Sequence, residues 1–297
     1  MSLRCDLGEV ITAMVTPFNP DLSINFEEVE KLTEHLVNNG SDAILVAGTT
    51  GESPTLTHNE ELKLLYCVKN VVGDRAKIIM GAGSNCTLTA VSQSKKVQDA
   101  GADAILSVAP YYNKPSQAGL INHFTQIAQS VELPIILYNI PGRTGINIAP
   151  TTIGELAYKN QNIVAVKQSN SDLDQVSEII GNAPEDFVVY SGDDSLTLPM
   201  LALGAYGIVS VASHIIGNEI KAMITAFKSG NVVEAAKIHQ QLYPTFKKIF
   251  MAPNPTPIKA ALARTGIIKD FVRSPLVVLT EAEKAELFKV LDSSVPA

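Results

Sequence analysis

Eight short runs of β-branched and other apolar residues recur along this chain, separated by longer amphipathic stretches, and that alternation limits the folds open to it. The runs are VITAMVTPF, DAILVAG, KIIMGAG, DAILSVAP, PIILYNIP, NIVAVKQ, DFVVYSG and YGIVSVAS. Between them the spacing predicts helices over 26–38, 59–72, 88–100, 120–131, 151–158 and 172–180, a shorter one after Asp194, and another over 218–229. Strands alternating with helices make βαβ units, and therefore a parallel sheet. The runs are nearly continuous in apolar character, as expected of strands covered on both faces. Eight such units in roughly 230 residues fit an α/β fold of the closed (β/α)8, or TIM barrel, kind. A doubly wound sheet would usually show fewer strands and a glycine-rich dinucleotide turn, and the nearest candidate, GAGSNC, lacks the third glycine.

Residues 1–230 are thus assigned to the barrel and 231–297 to a C-terminal helical region packed on it, with breaks at Gly230, Gly266 and the Pro253, Pro255, Pro257 cluster. This region fits either a structural cap or a subunit contact. The net charge is -7 and the lysines and arginines are scattered, which argues against a nucleic-acid groove or an anionic membrane as partner. No stretch approaches the roughly 18 uninterrupted apolar residues of a membrane span, and no cleavable leader is evident. Cys5, Cys67 and Cys86 show neither CxxC nor Cys/His spacing, so a reducing cytoplasm is expected, without a disulfide framework or a zinc site.

Barrels of this kind gather their chemistry at the C-terminal ends of the strands. There the chain carries GTTGES, GAGSN, PYYNKP, YNIPGRTG, KQSN, SGDDS and VSVAS. Lys167 closes the apolar run IVAV, where burying an ammonium is costly. A primary amine in a low dielectric gives up its proton more readily and attacks carbonyl carbon, so one reading is a Schiff-base lysine. The other is a lysine whose head reaches water or pairs with a carboxylate such as Asp193. Tyr138 ends the preceding strand and has two readings, a proton shuttle that meets Lys167 or a core tyrosine with a satisfied hydroxyl. Thr49 and Thr50 lie in a Gly-bounded loop whose hydroxyls and N–H groups suit a small anion. Arg143, in PGRTG on a Gly/Pro loop, reads either as a planar fork for a substrate carboxylate or as a solvated surface arginine. His58, His123, His214 and His239 show no ligand spacing, and nothing resembles HExxH or the paired carboxylates of a metal barrel, so metal-independent catalysis is expected.

Together GTTGESPTL, PYYNKPSQ, YNIPGRTG, the lysine after IVAV and SGDD resemble the dihydrodipicolinate synthase branch of the pyruvate-dependent class I aldolases, over essentially the whole chain. The resemblance implies a lyase without cofactor, usually a homotetramer built as a dimer of dimers. Lys167 would form an imine with pyruvate, and the enamine would attack L-aspartate 4-semialdehyde on the way to 4-hydroxy-tetrahydrodipicolinate, diaminopimelate and lysine. Tyr138 would be the central acid/base, linked through Thr49 to Tyr112 from a neighbouring subunit. Thr50, Val209 and Gly192 would contact substrate, and Arg143 would hold the semialdehyde carboxylate. Activity would then require assembly.

Two departures stand out. Gln168 follows the lysine where many relatives carry an acid, and strand alternation points it away from the lumen, so little effect on chemistry is expected. Ser53, His58, Asn85 and Tyr111 match an allosteric lysine site, but Glu61 and Thr89 replace its histidine and glutamate. Losing that carboxylate removes a charged partner of the effector's ammonium, and weak or absent feedback is expected. Two alternatives remain open: a sister aldolase acting on a sialic acid or 2-keto-3-deoxy sugar acid, which would need no Arg143, and a silent keto-acid-binding barrel.

Overall fold

The structure, a computed structural model, describes residues 6–294, so Cys5 lies outside the described residues. Eight parallel strands form a closed barrel in chain order. They are β1 (Val10–Ala13), β2 (Ala43–Val46), β3 (Lys77–Gly81), β4 (Ala104–Val108), β5 (Ile135–Asn139), β6 (Ile163–Gln168), β7 (Val188–Ser191) and β8 (Gly207–Ser210). β1, β2, β5, β6, β7 and β8 are buried at every position, as their unbroken apolar runs require of strands with both faces covered.

The chain divides into two compact units, one of residues up to Gly8 with Ile78–Val209, the other of Glu9–Lys77 with residues from Ser210 onward. The first holds α3 (Thr87–Asp99), α4 (Gln117–Ala128), α5 (Pro141–Thr144), α6 (Pro150–Lys159), α7 (Leu173–Asn182) and α8 (Thr197–Ala202). Side chains cap the starts of α4 and α7: the Ser116 hydroxyl accepts from the Gly119 N–H at 3.2 Å and the Asp172 carboxylate from the Gln175 N–H at 3.0 Å. That cap starts α4 three residues before the predicted position, because Gln117 and Ala118 lie on its first turn and carry no periodic apolar signal. α5 is a single turn inside the expected PGRTG loop, opened by Pro141 and closed by Gly145 at φ +72°.

The second unit holds α1 (Phe26–Asn38), α2 (His58–Val72), α9 (Ser213–Lys228), α10 (Val232–Lys248), α11 (Thr256–Arg264) and α12 (Glu281–Ser294). α2 opens on a full capping box between Thr57 and Glu60. α9 begins five residues before the predicted start and bends at Ile216, whose φ of -134° and ψ of 38° interrupt the helical pattern that periodicity relies on. His214 on its first turn is fully buried. Its Nδ1 donates to the Val211 carbonyl at 2.8 Å and its Nε2 accepts from the Val15 N–H at 3.1 Å, which fixes a neutral ring. Burial lowers its pKa to about 4. No described helix is long and apolar enough to cross a membrane.

Candidate active site

All six residues of β6 are buried, and alternation sends Lys167 to the face opposite Val166 and Gln168. Gln168 identifies its own face. Its carbonyl oxygen accepts from the Asn139 amide at 3.0 Å, and the same amide reaches Asn147 at 2.7 Å. Asn147 in turn exchanges two bonds of 3.1 Å with Gln175 of α7. This amide network faces the helices, so Lys167 faces inward, as expected from its place in the sequence.

Lys167 is 5% exposed and Tyr138, its register partner on β5, is equally buried. The lysine nitrogen lies 4.4 Å from the centroid of the Tyr138 ring, which sets the phenol beside the amine. The carboxylate alternative does not materialise among the described residues: Asp193 Oδ1 instead accepts from the Ser195 N–H at 2.9 Å and its hydroxyl at 2.8 Å, capping a short turn. Gly192 borders the lysine stem. A Cβ placed there overlaps the Ser169 hydroxyl outright and comes to 3.0 Å from Lys167 Cε, so only glycine leaves the stem its room. Val209, at the end of β8, is 2% exposed.

Arg143 sits exposed on the α5 turn. The Thr144 hydroxyl ties that turn down by donating to the Ile146 carbonyl at 2.8 Å, and the Thr144 carbonyl accepts from the Tyr112 N–H at 3.3 Å. The segments bearing Arg143 and Tyr112 are therefore fastened together. Tyr112 itself is 89% exposed and held at φ +74°. A non-glycine residue in that region costs about 1–3 kcal/mol, a strain that collects at functional sites. Next to it, the Tyr111 carbonyl accepts from the Asn85 amide at 3.2 Å.

In the second unit the GTTGE loop is bounded by two strained residues, Ala47 at φ +51° and Glu52 at φ +57°. Two turns close it: the Gly51 N–H donates to the Gly48 carbonyl and the Glu52 N–H to the Thr49 carbonyl, both at 3.1 Å. The Thr16 hydroxyl donates to the Gly51 carbonyl at 2.7 Å. Thr49 is partly exposed, and Thr50 is buried with its hydroxyl accepting from the Asn254 amide at 2.9 Å. Beyond the loop, Ser53 opens a short 3-10 turn. His58 Nδ1 meets Glu61 Oε2 at 3.1 Å, and burial raises the Glu61 carboxyl against the lowering effect of His58.

Several polar residues escape the sequence reading. Glu52 is fully buried against Lys259 of α11 at 2.5 Å, and its other oxygen accepts from the Arg273 N–H at 2.9 Å. Burial pushes the Lys259 ammonium down to about 8, outweighing the opposing pull of Glu52. A lysine inside the run PIKAALAR was the available signal, the same one that marks Lys167. Asn139, one residue past Tyr138, and Asn254 offered none.

The Dihydrodipicolinate synthetase family model matches residues 6–294. A 4-hydroxy-tetrahydrodipicolinate synthase from Desulforamulus reducens is 53% identical over 278 residues, 94% of either chain. A solved dihydrodipicolinate synthase from Bacillus anthracis superposes with a TM-score of 0.95 at 49% identity, covering 98% of this chain and 99% of that one. Another, from Cyanidioschyzon merolae with lysine bound, gives a TM-score of 0.95 at 46% identity over 97% of this chain and 98% of that one. Similarity of this extent, in sequence and backbone alike, leaves no segment of the barrel unaccounted for: the chain belongs to the dihydrodipicolinate synthetase family.

Proposed function

We propose that this chain is a lyase that condenses pyruvate with L-aspartate 4-semialdehyde to 4-hydroxy-tetrahydrodipicolinate, a step toward diaminopimelate and lysine. The observation that carries the reading is Lys167 on the inner barrel face with its nitrogen 4.4 Å from the Tyr138 ring. The amine attacks the keto carbon of pyruvate and water leaves, forming the imine. Loss of a methyl proton gives the enamine, whose carbon bonds to the aldehyde carbon while the aldehyde oxygen takes up a proton. The semialdehyde's own amine then displaces Lys167 as the ring closes, so one water leaves overall. Tyr138 is the group that moves these protons.

Thr49, Tyr112, Thr50, Val209 and Gly192 enter this proposal by their match to the family's motifs, and Arg143 as the clamp for the semialdehyde carboxylate. The exposure and left-handed backbone of Tyr112 support its use by a neighbouring copy, hence a homotetramer built as a dimer of dimers. Free thiols at Cys67 and Cys86 accord with a cytoplasmic location.

Coupled turnover of aspartate semialdehyde tests the reaction. Release of pyruvate from a 2-keto-3-deoxy sugar acid or a sialic acid, without condensation, would overturn it in favour of a sister aldolase. A dissociated yet folded chain that keeps full turnover would overturn the role of Tyr112 across an interface.

A further inference from the structure

We propose that Asn254, in the C-terminal region, is a positioning residue that fixes which way the Thr50 hydroxyl donates. The inference rests on the reading of Thr50 as a contact to the pyruvate carboxylate. Thr50 Oγ1 accepts from Asn254 Nδ2 at 2.9 Å, across 204 positions of sequence, and both side chains are buried. A hydroxyl carries one hydrogen and two lone pairs. With a lone pair engaged by the amide, the hydrogen of Thr50 is left to point elsewhere, toward an acceptor.

Accepting one bond also polarises the O–H and strengthens the bond it gives. Facing a carboxylate, a Thr50 so oriented is a donor; turned the other way, it would present a lone pair to an anion and repel it. The same stretch of chain anchors the far end of the loop, where Glu52 is held by Lys259 at 2.5 Å and by the Arg273 N–H at 2.9 Å. The loop of Thr49 and Thr50 thus takes its polarity and its placement from residues beyond the eighth strand.

Asn254→Asp replaces the donor with an acceptor and turns the Thr50 hydrogen toward itself. Pyruvate KM is expected to rise about ten- to a hundredfold, the range for a hydrogen bond to a charged group. Asn254→Ala, which merely frees the hydroxyl, is expected to raise it less. A role confined to packing predicts the reverse order, since alanine removes more contacts than the near-isosteric aspartate.

A double-mutant cycle keeps the question decidable should the aspartate variant not fold. If Asn254 acts through the hydroxyl, Asn254→Ala adds nothing to pyruvate KM in a Thr50→Val background. Additive effects, an alanine variant worse than the aspartate one, or an unchanged KM would each overturn the proposal. Borohydride trapping of pyruvate in the unaltered protein separates the two levels. Absence of a Lys167 adduct sinks the active-site reading itself, whereas an adduct alongside unchanged KM in the variants sinks only the role of Asn254.

Discussion

Replacing Gly192 by alanine intrudes one methyl group beside Lys167 and Ser169, just past the ends of β7 and β6. The new Cβ lies 3.0 Å from both Lys167 Cε and Ser169 Cβ and overlaps the Ser169 hydroxyl. Ser169 can turn its hydroxyl aside, but its Cβ and the lysine stem must shift by a few tenths of an ångström or more. Overpacking of this kind typically costs about 1–3 kcal/mol. Displacing a reacting atom by about 1 Å costs roughly a hundredfold in rate. Gly192→Ala is therefore expected to lose about 1–3 kcal/mol in urea unfolding and, through the lever arm of the lysine, ten- to a hundredfold in kcat. Adding Ser169→Ala removes the hydroxyl overlap and should restore stability more than turnover. Wild-type kcat in the single variant would refute the reasoning, and full recovery of kcat in the double variant would move the fault from Lys167 to Ser169.

Three further outcomes are expected. His214 is neutral and buried, with a pKa of about 4 against the ordinary histidine value of 6.5, so the unfolded chain binds the extra proton between those values. Its contribution to stability is full above pH 6.5 and is lost as pH falls through 4, about 3 kcal/mol in all; His214→Gln should flatten urea stability over that window, and an unchanged slope would contradict it. Gln168→Leu leaves the Asn139 amide with one acceptor fewer and should cost about 1 kcal/mol of stability with kcat within about threefold of wild type; a tenfold loss of kcat at unchanged stability would show that the amide network steers Lys167. L-Lysine at saturating concentration should leave turnover nearly unchanged, because Thr89 supplies no carboxylate to its ammonium. Strong inhibition would contradict this expectation.

The barrel was legible because each strand is a compact apolar run and each helix presents a periodic face, both of which are local properties. The pairing of Tyr138 with Lys167 was legible for a related reason: each lies one residue before the end of its strand, and register in a parallel barrel brings such positions side by side. What could not be read depends on contacts distant in sequence or on backbone that breaks residue preference. The Glu52–Lys259 and Thr50–Asn254 contacts span 207 and 204 positions, beyond any local pattern. Ala47, Glu52 and Tyr112 adopt positive φ where glycine would be the usual sign, so nothing in their identity announces it. The α5 turn is four residues long, too short for periodicity to reveal.

The central claim is that the inward amine of Lys167 condenses with pyruvate. Incubation with pyruvate, borohydride reduction and peptide mass analysis measure it directly. One reduced pyruvate adduct is expected on the peptide containing Lys167, abolished together with turnover in Lys167→Ala. An adduct on another lysine, or pyruvate-dependent activity surviving that replacement, would contradict it.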